Sequence, residues 1–157
     1  MADSTLVIGF GNPAREDDGL GPAAAELVEK SLIEGVTVDI DYQLSVEHAA
    51  DVAKHSLVVF VDASVEGGAP YVFEKVTPKF VESFSSHSVS PEQVLGLAAN
   101  LFNAQTVGYI LGIRGYSFEM FTESMTEKAE ENLQLAAGRL VEALKSGDLV
   151  ESMGEKS

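Results

Sequence analysis

The chain predicts an α/β fold: a single three-layer αβα domain around a mostly parallel five-stranded sheet with one antiparallel strand. Three observations carry that expectation. Thr5-Leu-Val-Ile-Gly9 and Leu57-Val-Val-Phe-Val61 are continuous apolar runs, as strands covered on both faces are. Segments with apolar residues at helical spacing separate the strand-like runs. A length of 157 residues suffices for one hydrophobic core and is short for two.

Taken in order, residues 5–9 form the first strand. Leu20, Ala23, Ala24, Leu27 and Val28 then recur at helical spacing through about Lys30, and Pro22 suits a first turn because its missing N–H would be unpaired there anyway. Val36, Val38, Ile40 and Tyr42 alternate with Thr37, Asp39 and Asp41, which gives a strand with one apolar and one polar face at an outer position in the sheet. Residues 45–54 carry Val46, Ala49, Ala50 and Ala53 at helical intervals and feed the central strand at 57–61. Gly67-Gly68 makes a turn into a fourth strand through Tyr71, Val72, Phe73 and Val76. The connection is too short for a crossover helix, so this strand is expected to run antiparallel to the third. Ser90-Pro-Glu-Gln93 is a helix start, with a capping serine, proline at the first position and Gln93 placed to cap in return. Residues 106–113 return as a strand. Ser124-Met-Thr-Glu127 reads as another capping box, ahead of Ala129, Leu133, Ala136, Leu140 and Leu144. The domain is expected over residues 1–146, with a polar, frayed tail over 147–157.

Composition removes several classes of function. Ten basic against twenty-five acidic residues leave a formal charge of -15, which repels phosphate backbones and anionic lipid. Neither nucleic acid nor membrane is therefore expected as a partner, and so large a charge favours a monomer. Without cysteine there can be no disulfide, thiolate zinc site, iron–sulfur cluster or cysteine nucleophile. No apolar run approaches a membrane span, and Asp3 stands where a signal peptide would be basic, so a cytoplasmic protein is expected.

In doubly wound sheets ligands bind beyond the carboxyl ends of the strands, where the chain order reverses. That rule directs attention to the segments after the first and third strands. The first is Gly9-Phe-Gly11-Asn-Pro-Ala-Arg-Glu16-Asp17-Asp18-Gly19-Leu-Gly21, with three consecutive acids. Gly9-x-Gly11-x-x-Ala14 loosely fits a dinucleotide loop, and Asp39 or Asp41 could receive a ribose. The acids lie where a phosphate should meet free N–H groups, which weighs against that fit. Helix capping accounts for one acid and leaves the others unexplained. Asp62 follows the most hydrophobic run in the chain, where an acid serves either a turn or a site. His87, in Ser85-Ser-His87-Ser, immediately precedes the well-marked helix start. His48 and His55 have no acid beside them at a strand end and are read as structural. Two aspartates and an imidazole suit nickel, zinc, iron or manganese with open coordination positions, or, without metal, two carboxylates sharing one proton. No Gly-x-Ser-x-Gly motif occurs, which disfavours a serine hydrolase.

Gly9-Phe-Gly11-Asn12-Pro-x-x-x-Asp17-Asp18-Gly19-Leu-Gly21, then Val-Val-Phe-Val-Asp62-Ala63, then Ser86-His87 before a helix, closely resembles the hydrogenase maturation endopeptidases. The resemblance runs from about Leu6 to Leu144 and includes Gly112-Ile113 and Ser124. It implies a peptidase that removes the C-terminal extension from the nickel-loaded precursor of a nickel–iron hydrogenase large subunit. It places that family's two metal-contacting carboxylates on Asp18 and Asp62 and its histidine on His87, as the catalytic and the metal-contacting set. It further implies no tightly bound cofactor, the nickel being the substrate's own, and it makes Asp17 a supporting acid. Glu16 departs from the pattern where many relatives have glycine, and the loop from Arg114 lacks a Gln-Pro often seen there. A non-hydrolytic nickel checkpoint or small-ligand (nucleotide) binding protein of the same fold is the alternative.

Overall fold

A computed structural model describes residues 4–80 and 89–154. Its sheet has the order β2-β1-β3-β5-β4, built from β1 (Thr5–Phe10), β2 (Val36–Asp41), β3 (Leu57–Ser64), β4 (Tyr71–Val76) and β5 (Val107–Arg114). All neighbouring pairs are parallel except β4 with β5. The helices are α1 (Leu20–Lys30), α2 (His48–Val52), α3 (Pro91–Phe102), α4 (Glu127–Ser146) and α5 (Leu149–Met153), with a 3-10 turn at Glu16–Gly19 ahead of α1. None of the described helices is long and apolar enough to cross a membrane.

The alternation of side chains along the strands divides the core in two. Val7, Val59, Val61, Leu111 and Ile113 pack toward α1 and α4, whereas Leu6, Ile8, Val58 and Phe60 pack toward α2 and α3. With both faces covered, β1 and β3 can be apolar throughout, which explains their unbroken hydrophobic runs. As expected from its polar face, β2 is an edge strand.

Four expectations need correction. The fourth strand pairs with β5 and not with β3, because β5 enters the sheet between them. The helix expected over 45–54 is shorter, since the Ser45 N–H is taken by the His48 ring and the backbone turns before α2 begins. The fourth helix is capped by Thr126 and not by Ser124: the Thr126 hydroxyl accepts the Ala129 N–H at 3.3 Å. The segment after Ser146 does not simply fray, because α5 buries Leu149 and Met153 against the α1–α4 face and the Tyr71 hydroxyl donates to the Met153 carbonyl. The Ser90 capping box is present in full, with both reciprocal hydrogen bonds.

Candidate functional site

The reversal of chain order falls between β1 and β3. From β1 the chain passes through α1 to β2 on one side, and beyond β3 it builds the strands on the other, so the connections part above these two carboxyl ends. The ladder between β1 and β3 ends at Gly9 opposite Val61, while β3 continues beside β5 to Ser64. Asp62 is therefore a strand residue that has lost its neighbour on the β1 side alone.

Glycines let α1 start directly over this opening. A Cβ on Gly21 would lie 2.4 Å from the Phe10 carbonyl oxygen and 2.5 Å from that of Val61, so only glycine fits where the helix crosses both strand ends. Gly11, at φ +144°, brings its Cα to the Asp18 carbonyl, where any Cβ would sit 2.1 Å from the oxygen. The glycines of this motif thus serve helix-to-strand contact.

Each of the three consecutive acids has a different task, and none caps a helix. Asp17 is fully buried and accepts four hydrogen bonds: from the amides of Tyr116 (2.7 Å), Ser117 (3.1 Å) and Thr126 (2.9 Å), and from the Thr126 hydroxyl (2.8 Å). Burial acts to raise its pKa, but these donors outweigh burial and hold the carboxyl below its ordinary value. Glu16 accepts from the Ser117 hydroxyl and from the Glu119 amide. Its φ of +50° is left-handed, a conformation that glycine adopts more readily than glutamate. Asp18 is left to face the crevice, with one oxygen accepting the Asn12 amide at 2.8 Å and lying 3.8 Å from the Arg15 guanidinium.

Asp62 has the opposite surroundings from Asp17. Burial pushes its carboxyl up to about 7, the Ala63 amide at 2.8 Å opposes that rise, and the negative charge of Asp18 adds to it. Asp18 and Asp62 thus sense one another across the crevice. A half-protonated carboxyl beside a second acid can hold or release one proton at neutral pH, or give up its proton to a cation. His87 lies outside the described residues, and no cluster of three metal-capable side chains occurs among the described residues.

One histidine keeps its structural reading but has the acidic neighbours at a strand end that the sequence did not lead us to expect. His48 is only 4% exposed, and its Nε2 lies 3.5 Å from a carboxylate oxygen of each of Asp39 and Asp41. Its Nδ1 accepts the Ser45 N–H, so the neutral ring carries its hydrogen on Nε2, toward the two acids. The alternation of β2 puts Asp39 and Asp41 on one face, but nothing in the spacing shows that His48 approaches it. The Asp41 carbonyl in turn accepts the Gly11 N–H at 3.1 Å, so His48 braces the strand end from which the first loop hangs. His55 keeps its structural reading, bonded to the Ser4 hydroxyl at 3.0 Å.

The sequence matches no family model and no curated protein. Solved structures do match. The nickel–iron hydrogenase maturation protease HycI from Thermococcus kodakarensis KOD1 superposes with a TM-score of 0.72 and 25% identity, over 91% of this chain and 93% of that one. The chain has the fold of the hydrogenase maturation proteases. The maturating endopeptidase HybD from E. coli superposes at TM-score 0.68 with 22% identity, covering 92% of this chain and 93% of its own. The hydrogenase 2 maturation peptidase of a Thaumarchaeota archaeon does so at 0.63 with 23% identity, over 90% and 97%.

Proposed function

We propose that this protein is the endopeptidase that removes the C-terminal extension from the nickel-loaded precursor of a nickel–iron hydrogenase large subunit. The observation that carries the reading is the position of Asp62 at the β1/β3 switch point, where burial and the charge of Asp18 both raise its carboxyl above the ordinary range. The near full-length likeness to maturation proteases supports it.

In this reading Asp18, Asp62 and His87 meet nickel that arrives with the precursor and is held by the precursor's own ligands, so the protease keeps no metal of its own. Carboxylates and an imidazole are borderline ligands for nickel, and a chain without cysteine cannot strip the metal from thiolates. Asp62 loses its proton as the cation approaches, because the positive charge reverses the bias set by burial and by Asp18. The resulting carboxylate takes a proton from the water that attacks the scissile carbonyl, and returns it to the departing amine. Asp17 does not touch substrate; it holds Asp18 in place. Processing of this kind takes place in the cytoplasm, with the precursor as the partner.

The nucleotide alternative gains no support: the 3-10 turn carrying Glu16, Asp17 and Asp18 runs straight into the start of α1, where a pyrophosphate would need free amides. The test is mass spectrometry of a large-subunit precursor from the same source, incubated with the protein with and without inserted nickel. Release of a short C-terminal peptide from the nickel-loaded form alone is expected. Binding to that form without any cleavage would replace the peptidase by a nickel checkpoint.

A further inference from the structure

A groove lies beside the start of α1. Its floor is formed by Pro22 of α1, Ile40 of β2 and Met125 of the loop before α4, and it encloses about 310 Å³. Glu16, Glu26 and Glu123 line it, and no Lys or Arg does so among the described residues. It is continuous with a second hollow of about 260 Å³ that shares Pro13, Pro22 and Ile40 and reaches Gly11, at the mouth of the first loop. The Glu16 carboxylate is spoken for by Ser117 and Glu119. Glu26 and Glu123 are exposed and have no ion-pair partner among the described residues.

An apolar floor with uncompensated carboxylates along its wall fits one kind of occupant. Burying Ile40, which is 40% exposed, requires apolar side chains, while the carboxylates of Glu26 and Glu123 lining the same hollow are matched by cations. Two joined hollows suit an extended segment of several residues, at about 3.3 Å per residue. We infer that this groove docks a basic, apolar-containing segment of the precursor polypeptide and so guides the scissile bond to Asp18 and Asp62. The inference rests on the peptidase reading above and names the chemistry by which that enzyme selects its substrate.

The test is the steady-state kinetics of cleavage of the nickel-loaded precursor by the full-length protein carrying Glu26→Lys and Glu123→Lys together. Both side chains are exposed, and a melting curve checks that the fold is retained. A matched control carries Glu34→Lys and Glu142→Lys, which change the net charge equally on exposed positions outside the groove. The groove pair is expected to raise KM by about tenfold or more at low salt, with the loss falling on KM rather than kcat, and the control pair to change KM by less than about twofold. An unchanged KM in the groove pair overturns the inference, as does an equal loss in both pairs, which would mean attraction by overall charge. If the unaltered protein cleaves no precursor, the peptidase reading fails and this proposal falls with it.

Discussion

Asp17 adjoins Asp18 in the turn before α1 and Asp62 lies near the end of β3, and burial acts on both in the same direction. Asp17 receives four hydrogen bonds and is held in its charged form, whereas Asp62 receives one, sits near the charge of Asp18, and is pushed up to about 7. The difference separates a carboxylate that holds structure from one poised for chemistry. A fully satisfied acid is fixed in one state, and an under-satisfied one can change state at the pH of a cell.

Removing Asp17 should have the largest effect. Asp17→Ala strands three amides and a hydroxyl in a buried place, so it is expected to cost about 4 kcal/mol in chemical denaturation, and to loosen Asp18 with it. The stability that Asp17 supplies is present above its unfolded pKa of about 3.8 and is lost as pH falls through its lower folded value. If Asp17→Ala melted like the unaltered protein, the contrast with Asp62 would collapse.

Asp62→Asn should do the reverse. Processing of the nickel-loaded precursor is expected to fall by at least about 100-fold, as removal of a general base does. Stability should rise, because an Asp with a raised pKa destabilises the fold as pH climbs from about 4 through about 7. The gain over the unaltered protein is then near zero at pH 4 and about 4 kcal/mol at pH 8. Denaturant melts at both pH values read it directly. The kcat/KM of the unaltered protein, which reports the free enzyme, should rise through about pH 7 as the Asp62 proton is lost. A flat profile would assign the proton transfer elsewhere.

Two smaller effects sharpen the comparison. His48→Gln shortens the brace beneath Asp39 and Asp41 and should cost about 1–2 kcal/mol, with a modest loss of processing through the Gly11 loop. Glu16→Gly relieves a left-handed backbone but forfeits the bonds to Ser117 and Glu119, so the two contributions should nearly cancel, within about 1 kcal/mol by thermal melting.

The positions of Asp18 and Asp62 beyond β1 and at the end of β3 were legible from sequence, because both strands are recognisable apolar runs and Gly9, Gly11 and Gly21 mark the turn between β1 and α1. The role of Asp17 as a supporting acid was legible only through family likeness; its partners lie about a hundred positions away and share no local pattern with it. The pairing of β4 was misjudged because adjacency in sequence suggests a hairpin, while the true neighbour, β5, arrives much later in the chain. Thr126 displaced Ser124 as the cap because its hydroxyl is also claimed by Asp17, a tertiary demand invisible in the capping pattern. The brace by His48 follows from which face of β2 meets α2, and this depends on a crossover that spacing does not fix.

The bonds from Asp17 also carry a consequence for biosynthesis. They join residues 99 to 109 positions apart, so the segment bearing Asp18 finds its anchor only when the loop beyond β5 has left the ribosome. A nascent chain that ends before Tyr116 has both aspartates but lacks the bonds that fix Asp17 beside Asp18. The anchoring of the turn that carries Asp18 is thereby tied to contacts that form only after most of the chain has been made.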